Sequence, residues 1–248
     1  NSTVVWAGNP AVVRAADRVV LSVGETAPLG MTAGVNRVEL VQSSQLNIPF
    51  QIARREGFTA KFVVTGDQLP PKVTNESVNV ADNQTEAIVH LFVEPDAPTG
   101  TYTLFVQGAG QVPSPRKDKD GNPVQFNVVE ASTPVTVTIG PSPLTLEPQV
   151  PGNGAVKRGA ELKIPVNVKR QNGFEGPVTL GLKLPASVTG VEAAEVTVAG
   201  DQTAGELIVK PTGEATVGNH AHVVIAARAK FNDKEVEVHQ RIPLNVTE

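Results

Sequence analysis

The stretch LNIPFQIARREGF, from Leu46 to Phe58, returns as LKIPVNVKRQNGF from Leu162 to Phe174. Both copies follow one pattern: Leu-x-Ile-Pro, two apolar residues at alternate positions, and then Arg-x-x-Gly-Phe. Alternation of apolar and polar residues with a period of two is typical of a strand that buries one face. The sequence therefore predicts the same strand and the same turn in both halves of the chain.

Other segments repeat in the same order. AIVHLFVEP (87–95) is matched by GELIVKP (205–211), and GTYTLFVQGAG (100–110) is matched by GNHAHVVIAARA (218–229). Each half thus contains several short strands separated by Gly, Pro, Asn and Asp turns, which is typical of an antiparallel β-sandwich. We expect an all-β chain of two tandem immunoglobulin-like antiparallel β-sandwich domains in an end-to-end rod.

The repeat also places the domain boundaries. Residues 19–140 are predicted to form the first sandwich and residues 141–248 the second. Residues 1–18 have no counterpart in the second half and are interpreted as a lead-in strand or one left over from a preceding domain. Pro141 and Pro143 stiffen the short connection between the halves, so we expect a semi-rigid spacer there.

Composition removes several classes of function. The chain of 248 residues has a formal charge of −4 and no cysteine, which excludes disulfides and thiolate chemistry and gives no basic surface for nucleic acid. No apolar run is long enough to insert into a membrane. The sequence has no G-x-S-x-G, H-E-x-x-H or phosphate-binding glycine loop, so we expect no enzyme and no cofactor apart from the calcium considered below.

The Arg-x-x-Gly-Phe strand end, the downstream Leu-Pro pairs and the late GTYTLFV strand resemble immunoglobulin-like repeats of large secreted or cell-surface bacterial proteins. The similarity is greatest to repeats that flank proteases and pre-peptidase-type modules in planctomycete-like proteomes. This resemblance implies sandwich modules that serve as spacers or adhesive stalks, and it transfers no catalytic residue.

The repeated motif has a structural interpretation. Its glycines are predicted to occupy a turn conformation closed to residues with a Cβ, and its phenylalanines to enter the core. Its arginines lie at strand ends, where the guanidinium reaches loop carbonyls; ligand binding is the less favoured alternative. These residues are Arg54, Gly57, Phe58, Arg170, Gly173 and Phe174.

Tyr102 stands near the start of the penultimate strand, where sandwich domains often place a tyrosine whose hydroxyl bonds to the backbone. His220 occupies the matching place in the second half and is interpreted as its replacement.

Two groups of residues could hold a metal ion. Asp118, Asp120 and Asn122 alternate around a glycine as in the start of a calcium loop, but the distal glutamate is missing, and a hairpin turn is the favoured interpretation. His220 and His222 would share one face of a strand. A third ligand is missing, because a short hairpin turn would place His239 closer to Ala226 than to His222.

The sequence thus favours a non-catalytic spacer or scaffold segment of a larger bacterial protein that is secreted, periplasmic or on the cell surface. Its expected partners are neighbouring domains of the same chain, and a monomer is expected. The alternative is a binding module that recognises protein, glycan or calcium through its loops, chiefly the long loop 110–123. A third possibility is that residues 1–35 pair with an edge strand of another chain.

Overall fold

The computed structural model describes residues 29–55 and 59–248, which form β-strands and one short 3₁₀ turn at Pro151–Gly154. The predictions for residues 1–18, for Gly57 and for Phe58 lie outside these ranges. The strands of the first sandwich are β1 Leu29–Ala33, β2 Arg37–Val41, β3 Gln45–Arg54, β4 Phe62–Asp67, β5 Val73–Asn75, β6 Val78–Val80, β7 Glu86–Val93, β8 Gly100–Lys117, β9 Pro123–Ala131 and β10 Val135–Gly140.

The strand order of the first sandwich is that of an immunoglobulin domain. One sheet has the order β1-β3-β7-β5, and the other has the order β2-β10-β8-β4-β6, with β9 paired to β8. In the immunoglobulin fold the sheet A-B-E-D packs on the sheet G-F-C. Strands β1, β3, β7 and β5 take the first set of places, and β10, β8 and β4 take the second.

The second sandwich repeats this arrangement. One sheet has the order β11-β13-β17-β15, and the facing strands have the orders β16-β14-β19-β20 and β12-β21-β18. The all-β, immunoglobulin-like prediction is confirmed. Its strands are β11 Leu144–Pro148, β12 Ala155–Lys157, β13 Leu162–Arg170, β14 Val178–Lys183, β15 Val191–Ala193, β16 Val196–Val198, β17 Ala204–Pro211, β18 Gly218–His220, β19 Val224–Phe231, β20 Lys234–Arg241 and β21 Leu244–Thr247.

Each sandwich has its own hydrophobic core, and the repeated motif supplies equivalent parts of both. The apolar residues at alternate positions of β3 and β13 are almost fully buried, while the residues between them are exposed or half-buried. Burying one such side chain stabilises the fold by about 1.5–3 kcal/mol. These residues are Ile48, Phe50, Ile52, Ile164, Val166 and Val168.

The prolines of the motif lie in interior strands and not at sheet edges. Pro49 in β3 lies between β1 and β7, but pairing with β1 ends one residue away, at Phe50. Pro165 in β13 likewise lies just past Val166, the last residue paired with β11. The residue just past β1, and likewise the residue just past β11, still donates its backbone amide to the proline carbonyl, so each proline interrupts the ladder only at its last step.

The last hairpins of the two sandwiches differ in length. In the second, Phe231 pairs with Lys234 across Asn232 and Asp233, which both have positive φ as a tight hairpin turn requires. In the first, β8 and β9 extend to a turn at residues 118–122. Strand β8 begins opposite Ile139, near the linker, so its 18 residues lead the hairpin away from the second sandwich.

Candidate functional site

The connection between the sandwiches is fixed by hydrogen bonds on both sides. Ser142 is fully buried, and its backbone amide donates to Gln42 Oε1 of the first sandwich at 3.3 Å. Its carbonyl accepts from Gln171 Nε2 at 3.1 Å and from Asn172 Nδ2 at 2.7 Å, both in the second sandwich. The short linker is therefore held in one path by side chains of both units.

Strand β20 of the second sandwich lies against the end of the first. The backbone amide of His239 donates to the carbonyl of Ser43 at 2.6 Å. Ser44 Oγ donates to the carbonyl of Glu237 at 2.8 Å, and the amide of Gln45 donates to His239 Nδ1 at 3.0 Å. We call the contact between the two units the domain seam. From the first sandwich it comprises Glu39, Ser43–Gln45, Asn47, Glu76, His90 and Phe92, and from the second it comprises Lys183, His222, Lys234 and Glu237–Arg241.

His239 is the buried centre of the domain seam, with 6% of its surface exposed. An amide can only donate, so Nδ1 must accept from Gln45, and the other ring nitrogen, Nε2, donates to the Glu237 carboxylate. The pKa of Glu237 is lowered to about 2, chiefly by the hydrogen bond from His239 and also by Lys183, while burial opposes both. The neutral ring with its proton on Nε2 satisfies both contacts.

A pair of histidines also meets across the domain seam. The rings of His90 and His222 stack with centroids 5.5 Å apart and planes 19° apart. His90 Nδ1 donates to Asn47 Oδ1 at 2.8 Å, and His222 Nε2 lies 3.0 Å from a Glu76 oxygen. Burial lowers the pKa of His90, and His222 and Arg241 lower it further, while Glu76 raises it.

Charged contacts flank these histidines. The Arg241 guanidinium lies 4.7 Å from the centre of the Phe92 ring and 3.4 Å from Glu76. Lys234 Nζ lies 2.8 Å from Glu39. Exposed pairs of this kind each contribute up to about 1 kcal/mol, so the buried hydrogen bonds contribute more to holding the units together.

Arg54 and Arg170 bind backbone carbonyls at the ends of their strands. Arg54 donates to the carbonyls of Ala60 and Ala81, and burial lowers its pKa. Arg170 donates to the carbonyls of Gly176 and Ala199, the latter at 2.7 Å. Each guanidinium therefore joins a carbonyl just after the repeated motif to a carbonyl in the turn that follows β6 or β16.

The other motif residues also make structural contacts. Gly173 has φ of +76°, a conformation that favours glycine, and Phe174 is buried edge-on to Phe231. Tyr102 donates its hydroxyl to the carbonyl of Pro98 at 3.0 Å. His220 donates from Nε2 to the carbonyl of Thr216 at 2.7 Å, again four residues upstream.

The proposed calcium residues form the turn of the long hairpin. Asp118 Oδ1 accepts from the amides of Asp120 and Asn122 at 2.9 and 2.8 Å. The amide of Asp118 donates to the carbonyl of Asn122, and that of Gly121 donates to the carbonyl of Asp118. One carboxylate oxygen of Asp118 is thus already occupied by the turn.

His220 and His222 do not lie on one strand, because β18 ends at His220 and β19 begins at Val224. His222 has φ of +63° and points to Glu76, whereas His220 points to Thr216. Across residues 29–55 and 59–248, no three His, Cys, Asp or Glu side chains are placed to hold a metal ion.

The domain seam was not predicted from the sequence. Gln45 and His239 are 194 positions apart, and no periodicity links them. Three of the four histidines of the chain lie at this contact, but only the structure brings them together. The predicted position of His239 opposite Ala226 is confirmed, and this pairing sets the orientation of the β20 residues that reach the first sandwich.

No family model matches this chain, and no curated protein sequence matches it. Among solved structures, it is similar to one described as the D0-D1 domain of Intimin, at 13% identity and a TM-score of 0.29. That match covers 87% of this chain and 97% of the other. In the part of the chain that the structure describes, no helix has the length and apolar character to cross a membrane.

Proposed function

We propose that this chain is a non-catalytic spacer unit in which two immunoglobulin-like sandwiches are held at a fixed angle within a larger secreted, periplasmic or cell-surface protein. The observation that supports it is the domain seam, where β20 bonds directly to Ser43–Gln45. A flexible string of domains has no need of such contacts. Its partners are the neighbouring domains of that protein, and it acts as a monomer.

The physical reason is conformational entropy. A free linker lets two domains sample many orientations, whereas a linker and a seam that are both hydrogen-bonded restrict them to one. At the linker, Ser142 binds both units, and at the seam three further hydrogen bonds join them. A stiff unit transmits position and load between the domains on either side of it.

The test is ¹⁵N relaxation of the folded chain at pH 7.5. We expect both sandwiches to tumble with one rotational correlation time. The S44A/H239L double variant, which removes two seam hydrogen bonds, should give each sandwich its own shorter time, and the H220Q control should behave like the wild type. Independent tumbling of the wild-type sandwiches would overturn the proposal.

A second function is favoured by the long β8–β9 hairpin. Three apolar residues of β9, Val124, Phe126 and Val129, have 38, 49 and 58% of their surface exposed. Exposed apolar surface of this kind is typical of a binding site. We propose that this hairpin binds a protein or glycan outside the chain. Replacing residues 110–123 by the short turn 230–235, together with V124T/F126T/V129T, should abolish binding to intact bacterial cells or to a glycan array. Binding that survives the replacement would eliminate the hairpin as the binding surface.

A further inference from the structure

We propose that the domain seam is a protonation-sensitive joint, in which neutral histidines hold the two sandwiches at a fixed angle and mild acidification releases that angle. This inference rests on the proposed stiff unit and adds its regulation. It depends on three histidines from two separate contacts, His239 in the first and His90 with His222 in the second.

The His239 contact requires an unprotonated nitrogen. Gln45 donates its amide hydrogen to Nδ1, and the proton of the ring is on Nε2, toward Glu237. A second proton on Nδ1 would face the amide hydrogen of Gln45, so the hydrogen bond would be replaced by repulsion. The Glu237 carboxylate stabilises the charged His239 ring, but both residues belong to the same sandwich, so this stabilisation persists when the units separate. Protonation therefore weakens the contact between sandwiches and not the contact within one.

The His90–His222 contact opposes protonation in a different way. Each ring belongs to a different sandwich, so two charged rings at a centroid distance of 5.5 Å repel each other only while the units are together. His222 also has φ of +63°, and its Nδ1 is buried without a hydrogen-bond partner. The charged groups that face the three histidines are Glu76 after β5, Lys183 on β14, and Glu237 and Arg241 on β20.

The direction of the pKa of His90 agrees with this geometry. Burial, His222 and Arg241 lower it below the usual 6.5, and the attraction of Glu76 does not compensate. A histidine whose pKa is lowered in the closed joint stabilises that joint above pH 6.5. This stabilisation is lost as the pH falls from the pKa of His90 in the open joint toward its lower pKa in the closed joint.

The joint can be observed by electron–electron distance measurement between two spin labels. The chain has no cysteine, so A53C in β3 and A204C in β17 would be the only two thiols, and both positions are exposed. We expect a narrow distance distribution at pH 7.5 and a reversible broadening at pH 5.0. Circular dichroism at both pH values confirms that each sandwich remains folded.

Three variants test the assignment to histidine. Glutamine gains no proton in this pH range, so H90Q/H222Q/H239Q should give the same distance distribution at pH 7.5 and at pH 5.0. The matched control H220Q should broaden on acidification like the wild type. E76Q, which keeps every histidine, should move the broadening to higher pH by about one unit, because it removes an attraction for charged His222. If the triple variant does not fold, the single exposed substitution E76Q still tests the role of the histidines.

The outcomes distinguish the switch from the stiff unit itself. A wild-type distribution that is narrow at both pH values overturns the protonation-sensitive joint and leaves the stiff unit intact. A distribution that is broad at pH 7.5 overturns both. A triple variant that broadens as the wild type does, or an E76Q variant with an unshifted response, also overturns the role of the histidines.

Discussion

The backbone amide of Gln45 donates a hydrogen bond to Nδ1 of His239 at 3.0 Å, and the two residues belong to different sandwiches. Because β20 runs past the end of β3, the same strand also bonds Ser43 and Ser44 through its backbone. Groups that would otherwise bind water are thereby satisfied by the other unit. The relation between the two sandwiches is thus as specific as the pairing within a sheet.

Arg170 should be essential to the stability of the second sandwich. R170L removes donors from the carbonyls of Gly176 and Ala199 and should lower the free energy of unfolding by about 2–3 kcal/mol. Urea denaturation measures the loss. K163Q on the same strand removes an exposed charge and should change stability by less than about 0.5 kcal/mol. Equal effects of the two substitutions would contradict the assigned role.

Tyr102 should stabilise the first sandwich through its hydroxyl. Y102F keeps the ring and removes only the hydrogen bond to Pro98, so we expect a loss of about 0.5–1.5 kcal/mol in the unfolding free energy. The loss should be seen in chemical denaturation followed at the first sandwich. An unchanged or increased stability would show that this hydrogen bond contributes nothing.

Glu237 should make stability depend on strongly acidic pH. Its pKa is lowered from 4.5 to about 2, so the stabilisation it provides is complete above pH 4.5 and is lost as pH falls toward 2. The thermal midpoint of the wild type should therefore fall more steeply between pH 4.5 and pH 2 than that of E237Q. Parallel pH profiles would contradict the ionised, hydrogen-bonded carboxylate.

The turn of the long hairpin should depend on Asp118 as an acceptor and not as a calcium ligand. D118N retains an oxygen for the amides of Asp120 and Asn122, whereas D118A does not. We expect D118A to speed hydrogen exchange of those two amides about tenfold and D118N to leave it nearly unchanged. If millimolar calcium protects these amides in the wild type but not in D118N, the residue is a ligand instead.

Local patterns in the sequence were sufficient to predict the strands of the repeated motif and of the last hairpin. The alternation in β3 and β13 requires a buried face, and the short turn at Asn232 fixes the register of β19 and β20. The place of Pro49 was harder to predict. A proline favours a sheet edge, but here the neighbouring strand β1 simply ends at the residue before its missing donor would be needed.

The domain seam could not be predicted because its residues have no local signature. His90 lies on a strand whose pattern is explained by the core, and His222 lies at a break that the sequence suggested would be a continuous strand. Only the angle between the two sandwiches brings these residues together. That angle results from many weak contacts between distant parts of the chain. Neither the alternation of apolar residues nor the composition predicts such contacts.

The most direct measurement of the central claim is the through-hydrogen-bond ¹⁵N–¹⁵N coupling between the Gln45 amide and Nδ1 of His239. At pH 7.5 we expect a resolved coupling, together with side-chain shifts of a neutral ring protonated on Nε2. If no coupling is found and the ring has its proton on Nδ1, the two sandwiches are not joined through this hydrogen bond, and the fixed domain seam is contradicted.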